Sequence, residues 1–298
     1  MFTVVTHGGA ASLSDHKDGP ERAARHGLEV LRKGGSPLDA AVQAVVDLED
    51  DERFNAGTGS NLRFDGKTIE MDASVMDSSG RFGAVACLRR VKNPILVARA
   101  VMRTPHNLLA GEGANRFARS LGMADHDPWT PRAQEKFDLL MKALRQQHMR
   151  ASEFGWDLGE LRSLWNYEVA LNEIIGAQDT VGAVVSDGER YAAALSTGGT
   201  ISTLLGRVGD VPLPGCGLHA GPHGAVATTG DGDALTRLNL AARAYRWLEE
   251  GMSPEAVRDA AIALVAPETD VGIIVVKGDK YAGGSNRDMA WGHAQGEA

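Results

Sequence analysis

The chain has 298 residues, 43% of them apolar, 36 glycines and a formal net charge of −8. That length buries a large core, as one big domain or two smaller ones, while the acidic balance, with no basic run longer than Arg89-Arg90, excludes the cationic footprint of a nucleic-acid binder. Cys87 and Cys216 are the only cysteines and lie far apart, so neither a disulfide framework nor a metal-ligand spacing is present, and a reducing, cytoplasmic setting is expected.

Thr3 to Thr6 reads as a buried strand that starts at once and runs into the turn His7-Gly8-Gly9-Ala10. No basic stretch followed by an apolar one precedes it, as a signal peptide would require, and no apolar run reaches the length of a membrane span, so no membrane partner is expected. Gly19 to Lys33 is helix-like. A second helix opens with Ser36 as N-cap, Pro37 at the first helical position and Asp39 in the first turn. Leu38, Ala41, Val42, Val45 and Val46 give it one packing face.

Phe54-Asn55-Ala56-Gly57-Thr58-Gly59 is a glycine-punctuated loop. Thr68 to Met76 and Gly83 to Arg90 read as strands joined around Ser78-Ser79-Gly80, and Pro94 to Met102 and Leu108 to Leu121 as helices. From about Met123 the composition turns polar, and a connecting segment follows over about 120–178. It has helix-prone stretches at Pro131 to Met149 and Asp157 to Ile175, the second carrying an apolar run over 156–175. A new sheet-forming half begins at Thr180 with a hairpin of Thr180 to Val185 and Arg190 to Leu195 around Asp187-Gly188. Ala225 to Thr229 is a strand, Asp233 to Glu250 and Ser253 to Val265 are helices, and Val271 to Val276 with Lys280 to Ala282 close as a hairpin. Elements cluster within each half instead of alternating, which points to helices packed outside stacked, largely antiparallel sheets.

Asp179-Thr180-Val181-Gly182 is the stretch with the most chemistry in it. A threonine in mid-chain has a hydroxyl and no base. Cutting the bond before Thr180 would set a free α-amine beside that hydroxyl, and an amine titrating at about 7.7–8.0 can serve as the base.

Five segments stand in one order: His7-Gly8-Gly9-Ala10; Phe54 to Gly59; Asp179 to Ala183; Ser196-Thr197-Gly198-Gly199; and Gly206-Arg207-Val208-Gly209-Asp210 with Thr228-Thr229-Gly230-Asp231-Gly232. With Glu70 to Asp77 and Thr104-Pro105-His106, the chain resembles the plant-type L-asparaginase and isoaspartyl peptidase family, N-terminal-nucleophile hydrolases related to glycosylasparaginase. The resemblance spans nearly the whole chain outside the connector. It implies a single α+β domain over 1–298, a four-layer αββα sandwich, made as a precursor that cuts itself before Thr180. An α chain of 1–179 and a β chain of 180–298 would stay together, as a dimer of such pairs.

The same resemblance implies the roles. Thr180 attacks the β-carbonyl of asparagine or of a β-aspartyl dipeptide, and Thr197 hydrogen-bonds the nucleophile. Thr229 and Gly230 form the oxyanion hole, and Asn55 positions the attacking groups. Arg207 offers a planar fork to the substrate α-carboxylate, Asp210 holds its α-ammonium, and Gly232 permits close approach. No cofactor is implied for catalysis. Main-chain carbonyls of Leu48, Glu49, Asp51, Phe54, Ala56 and Thr58 fall where family members bind a structural sodium ion.

Simpler readings stand beside these. Thr180, Thr197 and Thr229 also suit strand ends, and Arg207 with Asp210 suits a solvated surface pair. His7 reads as a packing residue that supports Asn55, and Asp72 and Asp77 as structural hydrogen-bond acceptors. Cys87 and Cys216 read as small buried hydrophobes, Cys216 near the pocket. Asp179 before the cut and Gly230-Asp231-Gly232-Asp233 lean towards glycosylasparaginase, which makes hydrolysis of a glycosylated asparagine one alternative. An uncleaved homologue that binds an amino acid through Arg207 and Asp210 is another.

Overall fold

The computed structural model describes residues 1–152, 180–201 and 203–297, without the side chains of 143–152. The helix expected over 157–175, the apolar run over 156–175 and Asp179 lie outside the described residues.

Two sheets form the framework. The seven-stranded one has the order β11 (Met289–Gly296), β1 (Phe2–Ala10), β5 (Val181–Ser186), β6 (Tyr191–Thr197), β2 (Met71–Asp77), β3 (Phe82–Leu88), β4 (Leu108–Ala110). The four-stranded one has the order β10 (Lys280–Ser285), β9 (Val271–Lys277), β8 (Gly224–Gly230), β7 (Leu218–Gly221). All the strand pairs are antiparallel except β3 with β4.

Three apolar clusters show how the sheets are dressed. Val5, Val184, Ala193 and Leu195 of the larger sheet pack with Leu218, Ala227, Ile274 and Val276 of the smaller one. Helices α1 (Asp18–Arg32), α2 (Pro37–Glu49), α3 (Pro94–Val101) and α4 (Gly111–Ser120) pack on the larger sheet around Val4, Val75, Val85 and Val181. Helices α6 (Gly232–Leu238), α7 (Leu240–Glu249) and α8 (Pro254–Leu264) pack on the smaller sheet around Val226, Ile273 and Val275. Each such Val, Leu or Ile, fully buried, contributes about 1.5–3 kcal/mol. Helix α5 (Pro131–Ser152) precedes the undescribed stretch. Among the described residues no helix is long and apolar enough to cross a membrane.

The start of α2 is the capping box expected of Ser36: its hydroxyl accepts from Asp39 N at 3.2 Å, and the Asp39 carboxylate accepts from Ser36 N at 2.9 Å. Three expectations need correction. His7 to Ala10 is no turn but the continuation of β1, which bulges between His7 and Ala10 against β11. Leu108 to Ala110 is a strand paired parallel to β3, so that helix starts only at Gly111. The helix from Asp233 to Glu250 breaks at Asn239, which adopts a left-handed conformation at φ 50° and separates α6 from α7. Strands β7 and β11 went unread, because short or glycine-punctuated runs such as Leu218-His219-Ala220-Gly221 lack the alternation that marks a strand.

Candidate active site

The β5–β6 hairpin builds the centre of the site. Val181 pairs with Ser196, which sets Thr180 beside Thr197 at the hairpin's open end. The Thr180 hydroxyl donates to Thr197 Oγ1 at 3.3 Å, and that same oxygen accepts from Gly199 N at 3.0 Å. Both threonines are more than nine-tenths buried. Asn55 sits one step behind: its Nδ2 donates to Gly199 O at 2.8 Å, and its Oδ1 accepts from Asn61 N at 2.8 Å. Asn55 thus fixes the turn that holds Thr197 and also lines the cleft itself.

Arg207, Asp210 and Gly232 line the other wall of the same cleft. The surface-pair reading does not hold, because Asp210 is 4% exposed and the Arg207 side chain 17%. Arg207 Nη2 donates to Asp233 Oδ2 at 2.9 Å, while Arg207 Nε and Asp210 Oδ2 are buried without a hydrogen-bond partner. Burial pushes the Asp210 carboxyl up to about 7, with Arg207 pulling the other way. Gly232 is required by space: a Cβ there would lie 2.8 Å from Asp210 Oδ1 and 3.2 Å from Arg207 Nη2.

Gly230, at the end of β8, lines the cleft at φ 133°, and a side chain on it would strike Asp270 O. Thr229 is fully buried next to it but does not line the cleft. Its Oγ1 accepts from Ala10 N at 3.1 Å, so the bulged end of β1 fixes this hydroxyl. Asp231 is a helix cap instead of a pocket residue, accepting from Asp233 N and Ala234 N at 3.0 Å each.

Several buried groups surround this centre. His7, opposite Gly182 on β5, is held neutral, its imidazole pushed down to about 3 by burial against an opposing contact from the Thr180 main chain. It is therefore a neighbour of Thr180, while the adjacent Gly8 packs on the ring of Phe54. Asp72 lies opposite Thr197 in the β2–β6 pairing, and burial raises its carboxyl to about 6. Its Oδ1 accepts from Cys87 N at 2.8 Å, and Asp77 accepts from Ser79 and Arg81, the structural role expected of both. Cys216 is buried and Cys87 half-buried, and both are free thiols. Thr200, Gly199 and Gly209 also line the cleft and were not singled out. The Ser196-Thr197-Gly198-Gly199 motif pointed to the first two, whose turn it begins.

The loop Phe54 to Gly59 folds back on the end of α2. Thr58 N donates to Glu49 O at 2.9 Å, Asp51 N to Leu48 O at 3.4 Å and Phe54 N to Asp51 O at 3.1 Å. The carbonyl oxygens of Glu52 and Phe54 both point at Gly59, 2.5 and 2.8 Å from where a Cβ would stand, and Glu49 O similarly faces Gly57. Among the described residues no cluster of His, Cys, Asp and Glu side chains could hold a metal ion.

A hydroxyl, a carboxyl group and a guanidinium thus converge on one cleft, with Arg207 Nε and Asp210 Oδ2 left without a hydrogen-bond partner. That arrangement suits a small zwitterion presented to a threonine. The chain matches the family model described as asparaginase over residues 1–298, and it belongs to that family. It is 40% identical to a plant-type L-asparaginase of Pyrococcus horikoshii, over 93% of this chain and 90% of the relative. It is 39% identical to a plant-type L-asparaginase of Pyrococcus furiosus, over 95% and 92%. An isoaspartyl peptidase/L-asparaginase of Danio rerio is 38% identical, over 98% and 92%.

Proposed function

We propose that this protein hydrolyses L-asparagine and β-aspartyl dipeptides to release aspartate, using Thr180 exposed as an N-terminal nucleophile by cleavage of the Asp179–Thr180 bond. The observation that carries the reading is the shared cleft: Thr180, Arg207 and Asp210 line it together, and Arg207 Nε and Asp210 Oδ2 are buried without a hydrogen-bond partner.

Arg207 takes the substrate α-carboxylate and Asp210 its α-ammonium, which leaves the side-chain carbonyl at Thr180. Thr180 Oγ attacks that carbonyl while its own α-amine accepts the hydroxyl proton. Thr197, already bonded to Thr180 Oγ1, holds the hydroxyl in line. Charge gathers on the carbonyl oxygen, and the N–H of Gly230, which lines the cleft, stabilises it, such a donor being worth about 10²–10³ in rate, with the Thr229 hydroxyl held behind it by Ala10 N. Collapse breaks the C–N bond, and the proton held on the amine leaves with ammonia or the departing amine. Water then attacks the aspartyl ester on Thr180, with the amine as base again, and aspartate departs.

The packing supports the finer architecture. Helices cover the outer face of each of two sheets whose inner faces share one apolar cluster, the arrangement of a four-layer αββα sandwich. The sheet order also supports lasting association after the cut. β5 lies between β1 and β6, and β6 beside β2, so strands before and after Thr180 alternate in one sheet. Neither the α chain 1–179 nor the β chain 180–298 completes that sheet alone. A dimer of such αβ units, in a reducing cytoplasm, completes the proposal. A structural sodium ion, implied by the resemblance, belongs to it as well, held by carbonyls of Leu48, Glu49, Asp51, Phe54, Ala56 and Thr58, of which the Leu48, Glu49 and Asp51 oxygens each also accept a main-chain N–H.

Intact mass spectrometry under denaturing conditions tests the reading. Two fragments meeting between Asp179 and Thr180 are expected, and Thr180→Ala should give one intact chain without turnover. A wild-type chain that stays whole yet releases ammonia from asparagine would refute the N-terminal mechanism. Rates on asparagine, β-aspartyl-leucine and a glycosylated asparagine, measured side by side, separate this reading from a glycosylasparaginase.

A further inference from the structure

Behind the cleft lies a charged residue that the reaction scheme does not use. Arg63 is fully buried, in the segment leading from the Phe54 to Gly59 loop towards β2. A guanidinium out of water costs several kcal/mol unless its donors are met. Its Nη1 donates to Thr203 Oγ1 at 2.7 Å, and its Nη2 to Glu70 O at 3.1 Å and to Arg207 O at 3.4 Å. Glu70 Oε2 lies 3.4 Å from Arg63 Nε, an ion pair without a hydrogen bond, and accepts from Gly206 N at 2.7 Å, while its Oε1 pairs with Arg89. The buried Arg63–Glu70 pair therefore grips the loop of Arg207 at three successive points, Thr203, Gly206 and Arg207.

The other side of the same guanidinium rests on the nucleophile's arm. A Cβ on Gly199 would stand 2.5 Å from Arg63 Nη1. Gly199 is the residue whose N–H holds Thr197 Oγ1, the partner of Thr180. One rigid plane thus touches both walls of the cleft, the wall that carries the nucleophile and the wall that carries the clamp.

We propose that Arg63 is a positioning residue that sets the span between the Thr180 hydroxyl and the Arg207–Asp210 clamp, and so selects β-aspartyl over γ-glutamyl substrates. The inference rests on the function proposed above. With the α-carboxylate and α-ammonium held, a γ-carbonyl stands one methylene farther out than a β-carbonyl, and a misplacement of about 1 Å costs on the order of 10²-fold in rate. Only a fixed span enforces that difference. The planar fork of arginine fixes it, whereas lysine would keep the charge and lose the geometry.

Arg63→Lys and the milder Thr203→Val, which removes the 2.7 Å contact and the Thr203 hydroxyl's bond to Thr200 O but leaves the charge, are the test. Full chains are purified and the processed fraction is counted by mass. The Kd for L-aspartate is then measured by calorimetry, and kcat/KM per processed chain for L-asparagine and L-glutamine. In Arg63→Lys the Kd should rise about 10-fold, the loss of one charge-assisted contact, and the asparagine-to-glutamine ratio should fall by about the same factor. Thr203→Val should move both in the same direction by less. A purely structural role would lower the melting temperature and leave Kd and ratio unchanged, and that result in either soluble variant overturns the proposal. If the wild type binds aspartate but turns over neither amide, the proposed hydrolysis fails while the variant Kd values still decide the role of Arg63. If the wild type binds no aspartate, both fail.

Discussion

Acidifying the protein from about pH 8 to about pH 5 should weaken its grip on L-aspartate about 100-fold, through Asp210. Binding the ligand ammonium needs an ionised carboxylate there, and burial holds the Asp210 carboxyl of the ligand-free protein at about 7 against an ordinary 3.8. Below that value the ionised fraction falls about tenfold per pH unit, leaving about one molecule in a hundred competent near pH 5. The sign for stability follows from the same displacement. A folded-state value above the unfolded one gives stability that is fully present below 3.8 and lost as pH rises through about 7. The ceiling is on the order of 4 kcal/mol, at about 1.4 kcal/mol per pH unit. Saturating aspartate should therefore raise the melting temperature more near pH 8 than near pH 5. Calorimetric Kd values at constant ionic strength read the effect on binding directly. Asp210→Asn should bind aspartate about 10–100-fold more weakly at pH 8 and show no further loss on acidification. A wild-type Kd that stays flat between those pH values, or an acid limb that survives in Asp210→Asn, refutes the assignment.

Gly232→Ala puts a methyl 2.8 Å from Asp210 Oδ1 at the first residue of α6, where alanine itself favours the helix. KM for asparagine should rise about tenfold or more, with the melting temperature unchanged or higher; an unaltered KM would place the clamp elsewhere. Glu49 is fully buried at the end of α2, accepts from Ile95 N at 3.0 Å, and is pushed by burial from 4.5 up to about 8. Its contribution is complete below 4.5 and lost as pH rises through about 8, so Glu49→Gln, which keeps an acceptor for Ile95, should gain on the wild type across that window by a few kcal/mol. A melting-temperature difference independent of pH would contradict this.

Much of this was legible in the chain. The capping box at Ser36 and the Asp187-Gly188 hairpin are local signals, written in contiguous residues whose chemistry leaves few alternatives. Order and spacing of the glycine-rich motifs brought Thr180, Thr197, Arg207, Asp210, Gly230 and Gly232 to one cleft, as the resemblance implied. Non-local facts were not readable. β11 pairs with β1 from the opposite end of the chain, and no spacing encodes that. Thr229 Oγ1 accepts from Ala10 N at the bulged end of β1, a contact that no spacing encodes. Arg63 stands in Leu62-Arg63-Phe64 as an ordinary charged residue of a loop. Its importance comes from Thr203 and Arg207, some 140 positions away.

Charge balance around the cleft explains why a zwitterion is wanted there. Two buried carboxylates, Asp72 beside the cleft and Asp210 in it, stand with the guanidiniums of Arg63 and Arg207, but Arg63 shares Glu70 with Arg89 and Arg207 pairs with Asp233. The cations are therefore already partly answered, and the excess of negative groups is relieved by burial raising Asp72 to about 6 and Asp210 to about 7. In the proposed binding mode, a ligand ammonium supplies the missing positive charge beside Asp210 and lets its proton go. In the same mode the ligand carboxylate meets the guanidinium of Arg207, whose Nε has no partner of its own. An acid without the amine would bring a negative charge into a site already short of positive ones. The clamp thus selects the α-amino acid as a whole, and capture at neutral pH is tied to release of a proton.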